Sequence, residues 1–67
     1  MTNQISEIEN KLFEITKSWN EYEDDMGENA ALEVACSQNG TDSGWYYSNI
    51  FNHHENVNKR LAKLYGK

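Results

Sequence analysis

The segment ISEIENKLFEITKSWNEY, residues 5–22, has the most regular hydrophobic pattern in the chain. Its large apolar residues recur at alternating spacings of three and four, the repeat of a helix that packs against another helix. These residues are Ile5, Ile8, Leu12, Ile15, Trp19 and Tyr22. We therefore predict an amphipathic helix over about residues 3–26. Gly27 should end it, because glycine readily adopts the conformation that closes a helix.

A second segment repeats this spacing toward the other end of the chain. The repeating positions are Tyr47, Ile50, His54, Val57, Leu61 and Leu64. The pattern predicts a helix over about residues 43–65, capped by Thr41, Asp42 or Ser43 and closed by Gly66. The chain contains no proline, so neither helix is interrupted by one.

Residues 28–42 connect these two helices, and their hydrophobic pattern fits either a helix or a strand. The run AALEVAC, residues 30–36, fits a short helix over about 29–37. It also alternates, with Leu32, Val34 and Cys36 on one side, which would suit a strand that pairs with residues 45–51. We favour the helix, because two alanines open the run and the downstream helical repeat is regular.

The fold class that follows is all-α, with one small domain over residues 1–67. We expect an antiparallel hairpin of two long amphipathic helices, with a short third helix or a turn-rich connector between them. A hairpin of this size buries one apolar stripe and little more, so self-association into a helical bundle is expected. A homodimer is the simplest such assembly.

The net charge of −5 is unevenly distributed. Residues 1–34 hold nine acids and two lysines, giving −7, whereas residues 35–67 hold two acids and four basic residues, giving +2. This distribution argues against direct nucleic-acid binding, which needs a positive surface. We find no transmembrane stretch and no signal-peptide pattern, so we expect a cytoplasmic protein without membrane contact.

The cysteine and the two histidines suggest neither an enzyme nor a metal protein. Cys36 is the only cysteine, and no catalytic motif surrounds it. Adjacent helical residues point about 100° apart, so His53 and His54 cannot readily hold one metal together. A metal site built from Cys36 and His53 is a remote alternative. We instead expect His54 to lie in the helix seam, bonded to a hydroxyl or carboxylate of the first helix, and we expect no cofactor.

The acid run EYEDDMGE, residues 21–28, is the stronger functional feature. Acids at the end of a helix oppose its dipole, so this run costs stability and invites a functional explanation. Three rings that fall off the predicted seam should lie near it. The predicted partner-binding residues are therefore Glu21, Glu23, Asp24, Asp25, Trp45, Tyr46 and Phe51.

Two function hypotheses follow, and neither involves catalysis. In the first, the chain is an inhibitor or adaptor that docks on a larger protein, for example one that handles nucleic acid. In the second, it is a structural or regulatory homodimer whose only partner is itself. In size, acidity and Asn- and Lys-rich composition the chain resembles small accessory proteins of phages and mobile elements. That resemblance implies inhibition of another protein by binding, but it involves no motif and assigns no residue a role.

Overall fold

The computed structural model describes residues 4–66, with side chains from residue 6 onward. It consists of three helices: α1 (Gln4–Met26), α2 (Glu28–Gln38) and α3 (Ser43–Tyr65). The described residues contain no strand, so the all-α class is confirmed. The segment that could have been helix or strand is the helix α2. The predicted start of the first helix near residue 3 lies outside the described residues.

Gly27 alone separates α1 from α2. Its φ of +90° lies in the left-handed region, which glycine adopts without the strain that a side chain would cause. Its N–H donates to the carbonyl of Glu23 at 2.9 Å, and its carbonyl accepts from the N–H of Ala31 at 3.0 Å. One residue therefore ends α1, as predicted, and begins α2, which packs against α1.

The connection from α2 to α3 is a short turn that ends in a helix cap. The N–H groups of Asn39 and Thr41 both donate to the carbonyl of Cys36. Asp42 then accepts a hydrogen bond from the N–H of Trp45 through its side chain, at 2.8 Å. Among the three predicted capping residues, Asp42 is therefore the one that caps α3. Gly66 closes the helix, again as predicted, by donating its N–H to Ala62.

The core lies where the three helices meet. Small side chains on α2 permit a close approach to α1, and larger side chains of α1 and α3 fill the remaining space. The buried residues are Leu12 and Ile15 of α1, Ala31, Leu32, Ala35 and Cys36 of α2, and Tyr46, Val57 and Leu61 of α3. The segment predicted as a short third helix or connector is thus a helix that supplies four of the buried residues.

The buried face of α3 differs from the predicted seam over its first half. Tyr46 is only 4% exposed, whereas Tyr47, which was assigned to the seam, is 56% exposed. Leu64, at the far end of the predicted seam, is also exposed. A stripe through Tyr46 is also spaced by threes and fours, and it shares Ile50, Val57 and Leu61 with the predicted one. The pattern of apolar residues therefore could not separate the two stripes.

The histidine prediction was wrong by the same single residue. His54 is exposed, and its near neighbour is the amide of Asn58 on its own helix. His53 instead faces α1, where its Nδ1 lies 2.9 Å from the Oε2 of Glu9. The amide of Asn56 donates to the same oxygen at 2.7 Å. The physical reason for this orientation of α3 is that it gives Tyr46 and His53 polar partners on α1.

Candidate partner-binding surface

The four acids predicted to bind a partner all lie on the surface at the end of α1. Glu21, Glu23, Asp24 and Asp25 are exposed. Within residues 6–66, no lysine or arginine forms an ion pair with any of them. Their charge is therefore directed to solvent and is available to a cationic group from outside.

Trp45 is held against the helices and is not a free anchor. Its side chain is half-buried and packs on the edge of the core. The charged group over its ring is the ammonium of Lys11, 5.2 Å from the ring centroid. A cation in this position is attracted by the negative face of the indole. We expected the acid run to lie near this ring, but Lys11 is the charged residue that contacts it.

Tyr46 is a structural residue. Its hydroxyl forms a hydrogen bond with the hydroxyl of Thr16. Its ring packs on the ring of Trp19 in a T-shaped arrangement, with an interplanar angle of 87° and ring centroids 5.8 Å apart. Burial raises the pKa of the Tyr46 phenol, because the charged form would lose its hydration. The prediction that this ring lies off the seam was wrong, and Tyr46 is not available to a partner.

Phe51 lies off the buried face, as predicted, and is 86% exposed. It belongs to a line of residues along α3, spaced by four, three, four and seven, that we call the outer stripe. The outer stripe consists of Tyr47, Phe51, His54, Asn58 and Tyr65, all exposed. Sequence reasoning missed Tyr47 and Tyr65 as surface residues, although their spacing from Phe51 was a usable signal.

A cleft of about 260 Å³ opens beside the outer stripe, between α1, the start of α2 and α3. We call it the acidic cleft, because the carboxylate residues Glu23 and Glu28 line it together with the rings of Trp19 and Tyr46. His54 and Asn58 line it as well, so the cleft and the outer stripe form one continuous surface. Trp19 could not be predicted as a lining residue from its position in the chain, since the cleft requires α2 to fold back.

A separate shallow groove of about 410 Å³ carries the opposite charge. It is lined by Phe13, Arg60, Lys63 and Leu64. The guanidinium of Arg60 lies 4.3 Å from the ring centroid of Phe13 and donates to the side chain of Asn10 at 2.6 Å. The molecule therefore separates an acidic concave region from a basic one.

The residues of the metal alternative are occupied in other ways. Cys36 is fully buried in the core, and burial raises the pKa of its thiol, with a smaller effect from the charge of Asp42. His53 is paired with Glu9. Among the residues that the structure describes, no group of three or more histidine, cysteine, aspartate or glutamate side chains could hold a metal ion.

The described helices also contain no segment that is both long and apolar enough to cross a membrane. No protein family, curated protein or solved structure matches this chain. The geometry of the surface is therefore the basis for any functional assignment.

Proposed function

We propose that this chain is a non-enzymatic protein-binding module that docks on a larger protein through the outer stripe and the acidic cleft. The observation that carries this proposal is the exposure of Phe51. Burying a side chain of this size is favourable by roughly 1.5–3 kcal/mol. A partner that covers Phe51 and Tyr47 gains this energy, whereas the isolated chain leaves it unused.

The charges next to these rings indicate the kind of partner. Four acids that form no ion pair within residues 6–66 end α1, and one of them, Glu23, lines the cleft together with Glu28, so a basic protein surface is the complementary one. Proteins that handle nucleic acid carry such surfaces for phosphate binding. An inhibitor or adaptor that occupies a basic groove of this kind is the form of the proposal that we favour. The suggestion that the chain inhibits its partner derives from the resemblance to phage and mobile-element accessory proteins, and that resemblance is one of composition only.

Quantitative capture with matched variants tests this surface. The purified chain and its Phe51→Ser variant are used as bait in a lysate, with Leu64→Ser as the control. Leu64 is an apolar residue of α3 that is 50% exposed and lies in the basic groove, outside the outer stripe. We expect Phe51→Ser to lose a bound protein that both wild type and Leu64→Ser retain. Equal capture by all three baits would refute the proposed surface.

The acid run is tested separately by reversing its charge. A variant with lysine at Glu21, Glu23, Asp24 and Asp25 should lose the same protein, because attraction becomes repulsion. Substituting the exposed acids Glu7, Glu14, Glu33 and Glu55 by lysine makes the same change in net charge elsewhere. If both variants lose the protein equally, net charge is responsible and the acid run is not a specific site.

Self-association is the second candidate, and the spacing of the outer stripe favours it. Exposed residues spaced by four, three and four along a helix match the repeat by which helices pair. Two copies could therefore join through α3 and form a helical bundle. Sedimentation velocity over a wide concentration range tests this. A dimer that Phe51→Ser dissociates supports a homodimer, and a monomer at every concentration contradicts it.

We also propose that α1 and α3 run antiparallel, as a hairpin requires. Two pairs of contacts support this arrangement. The earlier residue of α1, Glu9, reaches His53 of α3, whereas the later residue Thr16 reaches Tyr46. Distances between spin labels at Glu7 and Lys63, and at Glu7 and Ser48, test it. The first distance should be the shorter, and the reverse order would contradict an antiparallel pair.

A further inference from the structure

The acidic cleft has a built aromatic corner on its inner side. Trp19 and Tyr46 meet at 87°, with ring centroids 5.8 Å apart. The indole N–H of Trp19 donates to the backbone carbonyl of Glu28 at 3.0 Å, which fixes the ring against the start of α2. The ring of Tyr46 is fixed in turn by its hydrogen bond with Thr16. The corner is therefore formed before any ligand binds, which lowers the entropic cost of binding.

The carboxylates at this corner have no cation of their own. Glu23 and Glu28 both line the cleft, and neither forms an ion pair among the described side chains. The two lysines of α1 contact other residues: Lys17 pairs with Glu14 at 3.5 Å, and Lys11 lies over the ring of Trp45 on α3. A purely apolar occupant would desolvate the carboxylates without compensation, which is unfavourable. The cleft is thus complementary to a cationic group supplied from outside.

Of the two cationic side chains, arginine fits both walls. Its planar guanidinium stacks on aromatic faces and donates to a carboxylate through two parallel N–H groups. Lysine presents a compact, strongly hydrated charge that uses an aromatic wall less well. The same chain already shows this mode of contact in its basic groove, where Arg60 lies over Phe13 and bonds to Asn10.

We propose that the acidic cleft receives an arginine side chain of the protein partner, stacked on the ring of Trp19, which the buried Tyr46 braces, and paired with the carboxylates of Glu23 and Glu28. This inference rests on the proposed protein-binding function and specifies the chemistry of one contact. The outer stripe supplies apolar contact area beside it, and the arginine supplies orientation and specificity.

A peptide titration tests the cleft without knowledge of the partner. The probe is acetyl-Gly-Arg-Gly-amide, and its control is the same peptide with citrulline, which replaces the guanidinium by a neutral urea of similar shape. The readout is the NMR signal of the Trp19 indole N–H, recorded at about pH 8, where histidine side chains are ordinarily uncharged. We expect the arginine peptide to shift this signal saturably and the citrulline peptide to leave it unchanged. Equal shifts from both peptides would overturn the proposal.

Matched charge variants show whether the two named carboxylates are responsible. The double variant Glu23→Gln/Glu28→Gln should weaken arginine binding about fivefold, the scale expected for a largely exposed ion pair. Glu7→Gln/Glu55→Gln changes the net charge equally at exposed positions outside the cleft and should change binding less than about twofold. Equal weakening by both double variants would mean non-specific attraction and refute the site. If the arginine peptide does not bind the cleft but capture still depends on Phe51, this inference is refuted and the proposed function stands.

Discussion

Tyr46 and Tyr47 are adjacent tyrosines with opposite environments, and they allow a matched test at the scale of single residues. The Tyr46 hydroxyl bonds to Thr16 in the interior, whereas Tyr47 is largely exposed. Tyr46→Phe should lower the free energy of unfolding by about 1 kcal/mol, the usual net value of one hydrogen bond. Tyr47→Phe should change it by less than about 0.5 kcal/mol. Chemical denaturation measures both, and a larger loss for Tyr47→Phe would contradict the assigned buried face.

The carboxylate of Glu9 makes the stability of the chain sensitive to acid. The hydrogen bond from Asn56, followed by that with His53, lowers the pKa of Glu9 below its usual value of 4.5. A carboxyl group whose pKa is lowered by folding adds stability above its unfolded pKa, and that stability is lost as the pH falls through the folded pKa. Unfolding free energies measured between about pH 6 and pH 2 should therefore fall more steeply for wild type than for Glu9→Gln. Parallel curves would show that Glu9 has no such role.

The thiol of Cys36 should be chemically inert in the native protein. It is fully buried, and its raised pKa leaves little of the reactive thiolate at neutral pH. We expect a thiol reagent to label it only as fast as the fold opens, so that mild denaturant accelerates labelling. Rapid stoichiometric labelling in native buffer would contradict the burial.

At the scale of helices, Gly27 is the position on which the path of the chain depends. Its φ of +90° disfavours any L side chain, although no atom lies within 4 Å of where a Cβ would sit. Gly27→Ala should therefore cost about 1–3 kcal/mol through backbone strain alone. Gly44→Ala is the control, because Gly44 lies inside α3 and the added methyl makes an ordinary contact with Asp42. Alanine there should stabilise the protein by about 0.5–1 kcal/mol, and thermal unfolding distinguishes the two outcomes.

The end of α1 and both ends of α3 were predictable because helix periodicity and glycine or capping signals coincide there. The orientation of α3 was not, since the predicted and the observed stripe share Ile50, Val57 and Leu61 and differ by one residue at the other positions. Only the polar partners on α1, Thr16 for Tyr46 and Glu9 for His53, distinguish those stripes. Such pairs are a property of the packed helices and leave no periodic signal in the sequence.

The candidate site was predictable in part for the same reason. Phe51 was recognised as a ring outside the seam, and Glu23 as part of an acid-rich run. The acidic cleft itself could not be foreseen, because it exists only once Gly27 turns α2 back and places Glu28 beside Trp19. The packing of α2 thus brings residues into the lining of the cleft that are distant from the acid run in sequence.

At the scale of the whole molecule, we propose that α3 contributes to the core through its inner face and to partner binding through the outer stripe. The inner face holds Tyr46, Val57 and Leu61 in the core, and the outer stripe presents Tyr47 and Phe51 to solvent. The acidic cleft adjoins the outer stripe, while the basic groove of Phe13 and Arg60 is lined by a different set of residues. A substitution in the outer stripe should therefore change binding without changing the fold.

The affinity of Phe51→Ser for a protein that the wild-type chain captures is the most direct test of this central claim. In a calorimetric titration we expect binding to weaken at least about tenfold, as for an aromatic residue central to an interface. Leu64→Ser should bind like wild type, and both variants should unfold within about 0.5 kcal/mol of it. If Phe51→Ser folds normally and binds that protein as tightly as wild type, the outer stripe is not the binding surface.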